Sequence, residues 1–523
     1  MGWKEDWKGV TPMLLFAVLA FAWGDILFGI DTAAFSALQV LPAWLQSFGD
    51  FNAVTGVYSS PTSRTSLMNA LVFIGSFIGC ALFEPICDRF GYKKTILLAG
   101  VIQAVAVIVE MTAKDWITFT IGRIIAYIGV GLVENATPGY CSEVSPAPIR
   151  GFMSGSMTVL VTLGNTIGVA MTLPFVNETR PLGWLIPVSI QFLPALGIIL
   201  MVPFCPESPR WLVGKGRSEE ALISLNKLRS KEDIDSGLTA VEIEEIVYAV
   251  EQSKESEKGR WIDLFNRTYR YRTFIVVSLF FFYETTGGQF VNVYGPTFYR
   301  QLGLGTKVFV YSTIGQAVGV VTSIIGILVI DKIGRRPPVI TGAVLLFVCN
   351  ILIGSLGPKT PNISQTEQGV VIASIILLLS GLKLSFQSCG FLLTSEIGGN
   401  RMRKKFMGFG TAADVIFRFV FILIVPYFLN DPLYMGARFA FVMAVLAAIS
   451  VVFVVLCVPE TKGKQLEEMN ELFAMNIWPW EWQKTETEVR RQWLADVESR
   501  ANGTYVGRQK EKDEGDVEHM EVV

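Results

Sequence analysis

Apolar residues in this chain neither alternate nor keep to one helical face; they run on. Stretches of about 20 mostly apolar residues begin near Met13, Leu67, Thr95, Trp116, Gly151, Gly183, Thr273, Val308, Val339, Val370, Phe406 and Arg438. A helix of that length rises about 30 Å, the depth of a bilayer's hydrocarbon. The pattern predicts an all-α membrane protein of twelve transmembrane helices, called spans 1 to 12 here, in two six-helix bundles. Two polar stretches divide it into an N-terminal bundle (1–205), a cytosolic linker (206–270), a C-terminal bundle (271–458) and a tail (459–523). In the linker, RSEEALISLNKLR and DSGLTAVEIEEIVYAVEQSKESEKGR combine helical spacing with mixed charge, which predicts short helices.

Composition agrees: 51% of the 523 residues are hydrophobic and 17% charged. A net charge of −2 says little, but its placement says more. Basic residues gather in the loops at 88–94, 150, 206–270, 331–336 and 401–405 and in the tail, while the alternate loops hold few. The positive-inside rule then puts both termini and the linker in the cytosol. The basic start followed by an apolar run looks like a signal peptide but lacks a small-residue cleavage site, so span 1 is expected to be retained. The cysteines lie on spans or at their cytosolic ends, which argues against a disulfide framework. With one histidine, His519, and no ligand spacing, nucleophile elbow or Walker loop, nothing points to an enzyme, a cofactor, a metal or nucleic acid.

The chain also repeats itself. DRFGYKK at 88–94 returns as DKIGRRP at 331–337; SEVSPAPIRG returns as SEIGGNRMRK, keeping the spacing of seven between Glu143 and Arg150 in Glu396 and Arg403; PESPRWL at 206 returns as PETKGKQL at 459. Two parallel six-helix repeats around a central site are the architecture of an alternating-access carrier, which would work as a monomer. One copy of such a motif is a solvated turn. Two copies predict a cytosolic gate network of Asp88, Arg89, Glu143, Arg150 and Glu207 with Asp331, Arg335, Arg336, Glu396, Arg403 and Glu460, parting when the cytosolic side opens.

DRFGYKK, GRIIAYIGVG, SEVSPAPIRG, PESPRWLVGKGR and PETKGKQLEEM together resemble the sugar porter family of the major facilitator superfamily, in its fungal style, from span 1 to about Phe473. The resemblance implies the major facilitator fold, a substrate site at the bilayer midplane and uptake across the plasma membrane, often with a proton. It also implies that Asp31 in LFGIDTAAF and Arg123 in GRIIAYIG form the proton-coupling pair. Asp25, more than a turn earlier, is expected to be paired structurally.

The substrate positions implied by the resemblance depart from the family pattern. Thr158 stands where span 5 usually offers a glutamine. The glutamine-rich pattern of span 7 aligns with Tyr283, Glu284 and Gln289, followed by Asn292 and Tyr294; the prolines of span 10 are missing around Gln387 and Phe391; span 11 offers Asp414 where an amide is usual, with Arg418 one turn on. Lys383 adds a cation to span 10 where burial of an ammonium costs on the order of 3 kcal/mol on insertion scales. Its expected partners are Glu284 or Asp414, while Asp414 and Arg418 have i,i+4 spacing. Either the four charges form two buried pairs and neutral groups hold a sugar, or Lys383 or Arg418 meets an anionic substrate such as a sugar acid. Export of a non-sugar metabolite and a non-transporting nutrient sensor stay open as alternatives. TTGG at 285–288 predicts a weak point in span 7.

Overall fold

The computed structural model describes residues 10–491 apart from 54–55, 147–149, 256–259, 360–362, 465–467, 476 and 489; the side chains of some others, Arg150 and Asp331 among them, are also outside the described residues. Among the described residues, twelve helices are long and apolar enough to cross a membrane. The first six are Pro12–Leu38, Thr62–Phe90, Tyr92–Met111, Trp116–Val144, Gly155–Phe175 and Leu182–Phe204. The second six are Arg270–Gln301, Lys307–Ile330, Arg336–Lys359, Gln365–Ile397, Lys405–Leu429 and Gly436–Cys457. Their outward faces carry bare apolar side chains, such as Leu200, Phe204, Val321 and Val445. In water such a surface would aggregate; in lipid it is the ordinary outside of a spanning bundle.

The linker folds into short helices, Pro209–Gly214, Ser218–Leu228, Lys231–Asp235 and Leu238–Glu255, packed together by Leu212, Ala221, Leu225 and Ile243. An antiparallel hairpin between spans 1 and 2, Asp50–Asn52 with Val57–Ser59, is an addition that the apolar pattern does not announce.

Spans 2 and 6 are interrupted at a single residue, Leu71 and Gln191, and spans 7 and 10 are interrupted more deeply. Span 7 is helical over Arg270–Thr285 and again over Gly288–Gln301, with Gly287 at φ 108° between them, a left-handed conformation that glycine adopts without strain. The predicted weak point at TTGG is therefore a real interruption. Span 10 widens into a π turn over Lys383–Gln387, between helical Gln365–Leu382 and Ser388–Ile397, where the Ser388 hydroxyl donates to the Lys383 carbonyl at 2.6 Å. Where the family pattern has prolines, this chain loosens its helix with a wider turn instead.

On the side of the molecule opposite the termini, the halves are bonded to each other. Ser66 donates to the Leu423 carbonyl at 2.5 Å and Arg300 to the Val40 carbonyl at 3.3 Å, while the second segment of span 7 lies against span 1. Toward the termini, the polar contacts among the described residues stay within each half or between a half and the linker or tail.

Candidate functional site

At the terminal side, the repeat found in the sequence becomes a repeated device. Glu207 accepts from the backbone N–H groups of Tyr92 and Lys93, both at 3.2 Å, and thereby caps the start of span 3. Glu460 does the same for span 9 through Arg335 at 3.0 Å and Arg336 at 3.1 Å. A carboxylate at a helix N-terminus satisfies free N–H groups and meets the positive end of the dipole. Space for it comes from Gly91 and Gly334, at φ 89° and 107°, where an added Cβ would stand 2.5 Å from a carboxylate oxygen. Burial pushes the Glu207 carboxyl above its ordinary range, against the pull of its N–H bonds.

Beside each cap sits a second glutamate. Glu143 accepts from the Tyr92 hydroxyl at 3.1 Å and from Ser208; Glu396 accepts from Arg335 at 3.0 Å and from Thr461. Asp88 and Arg89, expected in this network, lie at the end of the span 2 helix, exposed and in no ion pair among the described residues. Arg336 donates to the Val455 carbonyl, and Arg403 is exposed. Arg150 and Asp331 lie outside the described side chains.

Deeper in the N-terminal half, Asp31 and Arg123 meet as expected. Arg123 Nη2 stands 3.1 Å from Asp31 Oδ1, with the two residues 3% and 2% exposed. The guanidinium also donates to the Met68 carbonyl at 3.2 Å and lies 3.8 Å over the Phe35 ring. Its positive charge is thus well housed, whereas Asp31 Oδ2 has no hydrogen-bond partner among the described residues. Sequence reasoning missed Glu110 of span 3, buried and in electrostatic contact with both. Asp25, expected to be paired, is buried without an ion-pair partner among the described residues.

In the C-terminal half the expected pairing needs correction. Arg418 takes both acids: its Nε lies 3.2 Å from Glu284 Oε1 and its Nη2 2.5 Å from Asp414 Oδ2. The i,i+4 pair therefore forms, but Lys383 pairs with neither carboxylate. It turns away to span 5, where its Nζ donates to Thr162 Oγ1 at 2.9 Å. Gly319 of span 8 leaves the space for its stem, since a Cβ there would meet Lys383 Cε at 2.9 Å. Thr162 in turn lies 3.5 Å from Ser323 of span 8. Lys383 is thus a polar bridge between the halves, completely buried and without a carboxylate among the described residues. Two neutral buried pairs, one of the two expected arrangements, do not form.

Of the remaining substrate candidates, Gln289 donates to Glu284 Oε1 at 3.2 Å, and Tyr283 interacts electrostatically with the same cluster. Asn292 accepts from Gln316 at 3.2 Å; both line a small space between the halves with Ser36, Val169, Tyr299 and Ser312. Tyr294 does not face that space: its hydroxyl donates to the Ile422 carbonyl at 2.9 Å, a packing role across to span 11. Phe391 packs edge-on against Phe280 at 5.0 Å. Gln387, in the π turn, keeps a side-chain oxygen without a partner among the described residues. Thr158 is half-buried one turn before Thr162, the residue that makes the contact with Lys383. Gln316, Thr162 and Glu134, which accepts from Ser76 at 3.4 Å, were missed because nothing in a single sequence distinguishes the cavity side of spans 4, 5 and 8.

Comparison with known proteins places this geometry. The high-affinity fructose transporter ght6 of Schizosaccharomyces pombe is 28% identical over 90% of this chain and 89% of its own length. The high-affinity gluconate transporter ght3 of the same yeast is 27% identical over 92% and 86%. Among solved structures, the xylose transporter XylE from E. coli, in a partially occluded inward-open conformation, superposes with a TM-score of 0.70 at 21% identity, covering 87% of this chain and all of that one, which shows the shared fold. The family model described as "Sugar (and other) transporter" matches residues 16–473, and the chain accordingly belongs to that family: a multi-pass membrane transporter of the major facilitator fold, not an enzyme.

Proposed function

We propose that this protein is a proton-coupled symporter that takes up a sugar or sugar-like compound across the plasma membrane by alternating access, working as a monomer with both termini in the cytosol. One observation carries it: a buried carboxylate, Asp31, is ion-paired with the Arg123 guanidinium through one oxygen and has no hydrogen-bond partner for the other among the described residues. Such an acid is ionised while paired and takes a proton when the arginine leaves, which couples proton movement to a conformational change. The sugars of the yeast relatives support the substrate class, and XylE, a proton:xylose symporter of the same fold, supports the coupling. The cytosolic location of the termini rests on the asymmetry of basic loops.

The test is uptake by purified protein in proteoliposomes under an inward proton gradient, across hexoses, pentoses, disaccharides, polyols and sugar acids. The expected outcome is accumulation of a neutral sugar that collapses with the gradient, and that Asp31→Asn loses while still exchanging labelled substrate. Accumulation undiminished in Asp31→Asn removes the coupling role. A specific observation favours sugar acids as a second reading: Lys383 sits between the halves without a carboxylate partner among the described residues, and one relative is a gluconate transporter. Response to acids and silence on neutral sugars is its signature.

A further inference from the structure

The charged cluster of the C-terminal half has more carboxylates than its cation can balance. Glu284 and Asp414 both bond to Arg418, at 3.2 and 2.5 Å, and the two carboxyl groups also contact each other. All three residues are buried, at 0%, 2% and 8% exposure. Glu284 Oε2 and Asp414 Oδ1 are both buried without a hydrogen-bond partner among the described residues. The other titratable groups in electrostatic contact with the cluster are Tyr283 on span 7 and, from the opposite half, Glu134 and Tyr127 on span 4 and Cys80 on span 2. Glu134 adds a third carboxylate, and none of the four adds a cation. Lys383, also buried in this half, is spent on Thr162. With both acids ionised, the cluster keeps an uncompensated negative charge away from water, an arrangement a buried site relieves by taking up a proton.

Each half holds a buried acid on its first span, Asp31 on span 1 and Glu284 on span 7, with the arginine coming from span 4 in one and from span 11 in the other.

We propose that Glu284, Asp414 and Arg418 form a second proton-binding site, the C-terminal counterpart of Asp31 and Arg123, in which two carboxylates share one guanidinium and one proton. The site is placed to feel the transport cycle. Glu284 lies one residue before the end of the helical segment at the break in span 7, and Arg418 faces Glu134 and the Phe73 ring, 5.6 Å away, across the boundary between the halves. When the halves part, Glu134 draws away from Arg418, the guanidinium settles on its own two acids, and their shared proton leaves to water. When they close, Glu134 competes for the guanidinium, and the proton returns to the Glu284 and Asp414 oxygens. Its use in the cycle rests on the proton-coupled reading above; its existence does not.

The experiment is infrared spectroscopy of the purified, substrate-free protein at neutral pH, comparing wild type with Glu284→Gln and Asp414→Asn. Because the proton is shared, each substitution alone should remove one protonated-carboxyl stretch and leave a simple one-to-one ion pair. Each variant should also be at least as thermally stable as wild type, since it removes surplus charge. Unchanged carboxyl stretches in both variants overturn the proposal in favour of a static, fully ionised triad. Unfolding of both overturns it too, because neutralising a surplus charge would then have been harmful. No substrate enters the measurement, so its outcome is independent of the uptake assay.

Discussion

Each half holds a buried acid on its first span, Asp31 on one side and Glu284 on the other, and the two are treated differently. In the N-terminal half, Arg123 spreads its charge over one bonded carboxylate, a backbone carbonyl and the Phe35 ring, with Glu110 near but in no hydrogen bond to it. In the C-terminal half, Arg418 is bonded to two carboxylates at once. The first guanidinium has partners besides its acid; the second has two acids to serve and no second cation beside it among the described residues. Both halves thus keep a buried acid on the first span while differing in where its cation comes from and how many acids the cation serves.

Removing the arginines breaks this comparison most sharply. Arg418→Met strands the one ionised acid of a proton-sharing pair and Arg123→Met strands Asp31, so both should destabilise, by on the order of 3–5 kcal/mol for a stranded buried charge. With one acid of the C-terminal cluster neutralised by the shared proton, thermal unfolding in detergent should show drops of similar size. A clearly larger drop for Arg418→Met would mean that both of its acids are ionised, against the shared proton.

At the terminal side the halves are alike, and the matched glycines test how alike. Gly91→Ala and Gly334→Ala each force a side chain into a left-handed conformation and against a capping carboxylate, at a cost of about 1–3 kcal/mol. The two losses should agree within the error of a thermal melt. A loss at one position only would mean that one cap has stopped serving its helix.

How much of this the sequence revealed follows the same division. All twelve spans begin within a few residues of where the apolar runs begin, because length and apolarity are local properties. The capping glutamates are visible because a short motif repeats around them, and the Asp414–Arg418 pair because i,i+4 spacing fixes it within one helix. Contacts between spans are not legible. The sequence points Lys383 toward an acid, yet it reaches Thr162 on the other half; a shift of one residue turns a side chain by about 100° and changes every neighbour. The π turn that carries Lys383 is equally hidden, since a change of backbone bonding from one turn to the next has no residue signature of its own.

The smallest expected effect is the one that bears most on Lys383. An ammonium buried without a counter-charge among the described residues has lost its hydration and gained one hydroxyl contact, so it is held by the shape of its site more than by its bond. Lys383→Met keeps the length of the stem beside Gly319 and removes the charge, and thermal stability should change by no more than about 1 kcal/mol, in either direction. A loss several times larger would mean that Lys383 balances the negative cluster after all, through space rather than by contact. The same variant separates the substrate readings in proteoliposomes: uptake of a neutral sugar should survive it if the bridge to Thr162 is structural. Uptake of gluconate should fall by about tenfold or more if the ammonium meets the substrate's carboxylate, as the loss of a charge-assisted bond of about 1.5–3 kcal/mol requires. Because both measurements are made on one variant, Lys383 is assigned to holding the halves together or to holding the cargo by which of the two responds.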